Sequence, residues 1–167
     1  MMQAMSSVAA GRCRRRVVTE LKKVAKEREQ VANLYADLIA SPLVKFPPRG
    51  LVAPMQQGVY VIYGPSGKVL HVGSTPSGFQ GIWQRLRNHL HKASSFTLVH
   101  LKGDGARLRK GCGFRCLVVT NHRLRALLEH YTIGHQCPAH LGIHNKGNRS
   151  SLSVATERRI VRMRASI

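Results

Sequence analysis

The sequence predicts an α/β fold of the α+β sandwich kind: a small, mostly antiparallel three-stranded sheet flanked by helices, with one more helix added at the N-terminus. Three observations predict it. First, Val59 to Tyr63 and Val69 to Val72 are short β-branched and aromatic runs on either side of Gly64-Pro65-Ser66-Gly67, the composition of a hairpin. Second, Phe114 to Thr120 is a third run of the same kind. Third, the apolar spacing changes to a helical one through Ile82, Leu86 and Leu90, and again through Leu124, Leu127, Leu128 and Tyr131. The order strand, strand, helix, strand, helix lays helices against a short sheet. A polar connection containing Gly103, Gly105 and Gly111 separates the first of these helices from the third strand.

The added helix runs from Thr19 to Ile39, where Leu21, Val24, Val31, Leu34, Tyr35 and Leu38 recur at spacings of three, four and seven. Thr19 is placed to cap it, and Pro42, Pro47 and Pro48 stop any continuation. Its Lys22, Lys23, Lys26 and Arg28 suggest a phosphate-binding face, but Glu20, Glu27, Glu29 and Asp37 dilute that charge, which favours a helix packed on the main domain. The chain divides by composition into a basic extension with one helix (1–50), a central domain (51–149) and a basic tail (150–167). In the tail, Ser153 could cap a short helix docked through Ile160, Val161 and Met163. There is no internal repeat or low-complexity tract.

Charge is the first functional signal. Among 167 residues, 27 Lys and Arg stand against 7 Asp and Glu, a formal charge of +20, while 43% hydrophobic residues supply an ordinary core. A folded body with that excess repels itself unless an anionic partner compensates. Nucleic acid does so with a dense row of phosphates whose condensed counterions are released on binding. DNA, double-stranded or branched, is the expected partner, and RNA is a second candidate. No stretch is long and apolar enough to span a bilayer and no lipidation motif appears, so a membrane is not expected. The expected location is inside the cell. Met1 to Arg16, with Ser, Ala and Arg and no acid, also has the composition of an organelle-import leader. Cys13, Cys112, Cys116 and Cys137 are not a disulfide framework in an intracellular chain. Cys112, Cys116 and Cys137 with His135 or His140 are too loosely spaced for an expected zinc site.

From Gly58 to Arg149 there are 13 Lys and Arg but only two acids, Asp104 and Glu129. A carboxylate among phosphate-binding cations repels the same substrate unless a divalent metal bridges the two. The alternative for Glu129 is a salt bridge to Arg125, four positions earlier on the same helix. Arg85 and His89, at i and i+4, share one helical face. There Arg can grip a phosphate and offset developing charge, and His can donate to an oxygen or position water. A solvated basic face is the alternative, and Arg87, His91 and Lys92 suit it better. Tyr60, between Val59 and Val61, reads by itself as a core or cross-strand aromatic.

Gly58-Val59-Tyr60 followed by His71-Val72-Gly73 resembles the paired signature of the GIY-YIG nucleases. Arg85-Leu86-Arg87-Asn88-His89-Leu90 resembles the family helix that carries its catalytic Arg, and Ala126-Leu127-Leu128-Glu129 the helix whose Glu binds metal. Pro138 followed by Asn145 is similar to the closing loop, whose Asn contacts the site, with Asn148 as the other candidate. The resemblance spans roughly Gly58 to Asn148. It implies Tyr60 as general base or holder of the attacking water, Arg85 as stabiliser of the transition state, His89 on the same helix face, Glu129 as the sole metal-binding carboxylate, and Gly58, Gly73 and Asn145 as further site residues. His71 stands where the family has its second Tyr, and Ser74 where some members carry a Lys.

The expected function is therefore metal-dependent endonucleolytic hydrolysis of DNA, with one Mg²⁺ or Mn²⁺ on Glu129. Arg87, Lys92, Arg123 and Lys146 are expected to contact flanking phosphates. The alternative is a nucleic-acid-binding protein that keeps the GIY-YIG fold without cleavage. Specificity is expected to need dimerisation or a partner protein, or to rest on the shape of the DNA.

Overall fold

The computed structural model describes residues 3–76 and 80–141, with side chains from Val17 onward. Helix α1 spans Gln3–Ala40, strand β1 Val44–Lys45, β2 Gly58–Tyr63, β3 Val69–Ser74, α2 Gly81–Leu90, β4 Gly113–Val118 and α3 His122–Gln136. The sheet has four strands in the order β1-β4-β2-β3, and every pairing of named strands is antiparallel. The strand beyond the three expected is β1. Its two residues, held between Pro42 and Pro47, are too few to show an alternation, and they pair with Phe114 and Gly113 of β4. Within the polar connection the chain makes a π-helical turn at Phe96–His100 and a 3-10 turn at Gly105–Arg109.

Alternation along β2 assigns the two faces of the sheet. Val59 and Val61, with Val69 and Val72 of β3, pack under Leu38 of α1 and Leu128 of α3. Tyr60 and Ile62, with Phe114 of β4, pack against Ile82 and Leu86 of α2 and against Phe96, Leu101 and Leu108. Burying each such side chain contributes about 1.5–3 kcal/mol, so both helical layers are held by apolar contact.

Helix α1 begins well before Thr19, which lies in its interior rather than at a cap. No proline and a single glycine, Gly11, precede it, and the residues there are mostly good helix formers. The apolar stripe divides: Val31 and Leu38 are buried, whereas Val17, Leu21 and Val24 are exposed. Tertiary packing therefore fixes the C-terminal half of the helix.

Asn121 caps α3, its side chain accepting from the Leu124 N–H at 3.0 Å. One turn on, Arg125 is 4% exposed. Its Nε donates to Thr75 O at 2.8 Å, Nη1 to Val119 O and Thr120 O at 2.9 and 3.0 Å, and Nη2 to Pro76 O at 2.9 Å. One planar guanidinium thus ties α3 to the segments that follow β3 and β4, and sets how far along β3 the next turn of the helix falls. Arg125→Ala would leave four carbonyls without this donor. An unfolding free energy lower by about 3 kcal/mol is expected in denaturant titrations, with Arg125→Lys recovering only part of it. An unchanged midpoint for the Ala variant would show that this arginine does not anchor the helix.

Candidate active site

Tyr60 is completely buried. In the β2–β3 register it faces Gly73, and a Cβ at position 73 would fall 2.5 Å from the phenolic oxygen. The bare glycine is what lets the ring fold across β3. Gly58 serves packing: a Cβ there would lie 2.1 Å from Leu117 O.

The Tyr60 hydroxyl meets His89 Nε2 at 2.7 Å. Counting hydrogens assigns the tautomer. Thr97 Oγ1 donates to His89 O at 2.6 Å, so its proton is committed. Ser94 Oγ accepts from Thr97 N–H at 3.2 Å and donates to Thr97 Oγ1 at 2.9 Å. Its contact with His89 Nδ1 at 2.7 Å must then be donated by the ring. His89 therefore carries its proton on Nδ1, and its Nε2 lone pair accepts from Tyr60. Burial holds the His89 pKa well below the ordinary imidazole value, with His71, Arg85 and His140 adding to the effect. Burial likewise pushes the Tyr60 phenol up to about 12, against the lowering influence of nearby Arg85. At neutral pH the pair is a phenol donating to a neutral imidazole.

His71, across from Ile62 in the sheet, points to the same face. Its Nδ1–H donates to His140 O at 3.3 Å, in a short parallel bridge formed where Ala139 and His140 run beside β3. That leaves Nε2 as the acceptor, 3.2 Å from where a Gly73 Cβ would stand and so directed at the same small space as the phenol. Burial lowers its pKa to about 4, opposed by the bond to His140 and assisted by the charges of His140, Arg85 and His100. Phe96 stacks on His71 with ring centroids 4.8 Å apart and an interplanar angle of 11°.

Arg85 lies one turn before His89 on α2 and lines a cleft of about 160 Å³ with Gln57, Thr75, Pro76, Gly81, Gln84 and Asn88. Its guanidinium is within electrostatic reach of the phenol, yet its buried Nε–H has no acceptor among the described residues. Glu129 comes from α3 on the opposite face of the sheet and reaches the end of β3, where it accepts from Ser74 N–H at 3.1 Å and from Ser74 Oγ at 2.5 Å. The anticipated alternative, a Glu129–Arg125 ion pair, does not form, because Arg125 is spent on carbonyls. The Glu129 charge also acts on Tyr60, raising its pKa. Tyr60, His71 and His89 thus meet beside Gly73, with Arg85 one turn from His89 and within electrostatic reach of the phenol, and Glu129 held at the neighbouring Ser74.

Other expected contacts lie elsewhere. Arg123 forms a two-point ion pair with Glu27 of α1, at 2.5 and 2.8 Å, so its charge is compensated within the chain. Arg87 is exposed, its guanidinium 5.1 Å above the Trp83 ring, and Lys92 is exposed just beyond α2 in a left-handed conformation. Asn145, Lys146 and Asn148 lie outside the described residues. Among the described residues no three His, Cys, Asp or Glu side chains gather as metal ligands, and no helix is long and apolar enough to cross a membrane. Four contributors were not anticipated: Ser74 as partner of Glu129, Ser94 and Thr97 behind His89, and Phe96 against His71. The small polar residues give no periodic signal. A Ser-Ser-Phe-Thr run just after an amphipathic helix was the only hint.

No family model and no curated protein sequence matches the chain. Among solved structures it is similar to crystal structures of the GIY-YIG N-terminal endonuclease domain of UvrC from Thermotoga maritima. One is bound to its catalytic divalent cation, magnesium, and another is an asparagine-to-alanine point mutant, also bound to its catalytic divalent cation. In each case the identity is 23%, the match covers 53% of this chain and 86% of that chain, and the TM-score is 0.40.

The two buried histidines of the site, His71 and His89, both with lowered pKa, give a pH dependence with a fixed sign. A histidine kept neutral by folding is protonated more readily in the unfolded chain, so stability falls as pH drops below the unfolded value of about 6.5. For His71, with a folded pKa of about 4, the loss is on the order of 3 kcal/mol by pH 4 and is absent above pH 7. Unfolding midpoints measured from pH 7 to 4 should fall, and His71→Gln should flatten part of that slope. An equal slope in the variant would show that His71 is not held neutral.

Proposed function

We propose that this protein is a divalent-metal-dependent endonuclease that hydrolyses phosphodiester bonds in DNA. One observation carries the reading: a buried guanidinium N–H of Arg85, without an acceptor among the described residues, stands beside the Tyr60–His89 pair, with the Glu129 carboxylate at the adjoining strand end. A buried donor left open is costly and calls for a ligand. A phosphate oxygen is the acceptor that suits a guanidinium best. The motif resemblance to the GIY-YIG nucleases supports the same assignment of roles.

Glu129 would hold the metal. Each of its oxygens accepts one bond from Ser74 and so keeps a lone pair, and a single carboxylate completed by water and phosphate oxygens suits Mg²⁺ or Mn²⁺. Its hard oxygens do not favour zinc, which prefers sulfur and imidazole. When bound, the ion supplies positive charge to a non-bridging phosphate oxygen and to the leaving 3′ oxygen.

The chain's own groups account for proton movement. Tyr60, with a pKa near 12, is not a phenolate at neutral pH. It acts as a relay: its oxygen takes a proton from the attacking water while its own proton passes to His89 Nε2. The His89 pKa, low in the free chain, rises when a negatively charged phosphate sits beside it. His71 Nε2, its lone pair fixed by the Nδ1–His140 bond, orients that water. Arg85 offsets charge on the phosphorus centre. Arg87 and Lys92 contact flanking phosphates and fix position rather than sequence.

One observation favours the second reading, a nucleic-acid-binding protein without cleavage: the Tyr60 side chain has no exposed surface, so the relay needs α2 to yield when substrate enters. Cleavage of plasmid and branched DNA with Mg²⁺ or Mn²⁺ decides between the two. Glu129→Gln and Arg85→Ala should each lower the rate by about 10²–10³-fold, and Tyr60→Phe, which keeps the ring, by about 10². Wild-type rates for folded Glu129→Gln would remove the metal assignment. Tight, salt-sensitive DNA binding with no metal-dependent product would establish the binder, and preference for structured RNA over duplex DNA would point to an RNA-associated protein.

A further inference from the structure

At the hairpin end of β2 and β3, away from Ser74 and Glu129, lies a second cleft of about 370 Å³. Its floor is apolar, formed by Leu70, Leu101 and Cys112, of which Leu101 and Cys112 are buried. Its rim is cationic, with Lys68 from the hairpin and Arg107 and Lys110 from the segment after the π-helical turn, and the His100 imidazole lines it beside them. Among the described residues no carboxylate lines it.

These cations differ from others in the chain. Arg109, Arg115, Arg125 and Lys45 donate to backbone carbonyls, and Arg123 to Glu27. The ion pairs among the described residues are Lys23–Glu20 and Arg123–Glu27. Among the described residues no hydrogen bond or ion pair engages the charged ends of Lys68, Arg107 or Lys110. Arg107 and Lys68 both stand close enough to His100 to act on it: burial and then these two charges lower its pKa. Like charges gathered around an apolar floor are unfavourable until an anion with an apolar body fills the space.

The cleft is also joined to the candidate active site. Phe96 stacks on His71 at 4.8 Å and on His100 at 5.4 Å, so one ring touches both the active-site histidine and a residue lining the cleft.

We propose that this cleft holds one unpaired nucleotide of the substrate strand, its base on Leu70, Leu101 and Cys112 and its phosphate on Lys68, Arg107 and Lys110. A paired base cannot turn its face onto such a floor, so the site selects a single-stranded segment near the point of cleavage. The proposal rests on the nuclease reading for its link to cleavage, but the binding it describes needs no metal.

The test measures binding in EDTA, by fluorescence anisotropy of labelled single-stranded and duplex oligonucleotides across a salt series. Lys68→Ala combined with Lys110→Ala should weaken single-strand binding roughly ten-fold and lower its salt slope by about 1 to 2. Duplex binding should weaken no more than in a control pair, Lys22→Ala with Lys26→Ala on α1. In parallel, thymidine monophosphate should shift the methyl resonances of Leu70 and Leu101, and thymidine alone should shift them much less. Equal losses in the two variant pairs on both polymers, or no nucleotide-dependent shift at either leucine, would overturn the proposal. Glu129-dependent cleavage persisting beside that result would leave the nuclease reading intact. The expected binding without cleavage would instead overturn only the nuclease reading.

Discussion

A phenol can lie across β3 only where β3 presents no side chain. The register that sets Tyr60 opposite Gly73 therefore governs the rest of the site. It brings the hydroxyl to His89 Nε2 on α2 and leaves His71 Nε2 looking at the same point from the neighbouring strand. Shifting β3 by one residue would turn His71 and Gly73 to the face covered by α1 and α3 and bring Val72 to the phenol. The valines on that other face, Val59, Val61 and Val72, hold the register by apolar burial. The chemistry of one face thus depends on the packing of the other.

The same division of labour runs through the cations. A formal charge of +20 suggests one undivided phosphate-binding surface, but Arg123 is spent on Glu27, and other cations divide into two kinds. Some replace missing backbone partners: Arg125 joins α3 to two loops, Arg109 bonds Pro47 O and Gly50 O, and Arg115 bonds Ser41 O. In a small domain with long connections, guanidinium groups satisfy carbonyls that no helix or sheet reaches. Arg85, whose buried Nε–H stays open, belongs to the second kind, and so do the cations around the hairpin cleft.

Much of this was legible in the sequence because it depends on spacing. Strands β2, β3 and β4 and helices α2 and α3 follow from period-two and period-3.6 patterns, and Arg85 and His89 share a face because they are four apart. What escaped has no period. Strand β1 has two residues between prolines. The reach of α1 back to Gln3 depended on the absence of a breaker rather than on any cap. Arg125 read as a surface partner of Glu129 because i,i+4 spacing allows it, but burial beside free carbonyls outweighs an ion pair at the helix surface. Ser74, Ser94 and Thr97 matter through hydrogen bonds that only the folded chain brings together.

The proposal as a whole turns on whether Glu129 can take a hard cation while Arg85 and Tyr60 face the same space. Diffraction from crystals soaked in Mn²⁺ and a short DNA oligonucleotide measures this directly, since manganese is located by its anomalous signal. The expected result is one ion within bonding distance of a Glu129 oxygen, with a phosphate oxygen on Arg85 Nε. Manganese at other sites only, with Glu129 still bonded to Ser74 alone and Arg85 Nε without a phosphate, would contradict it.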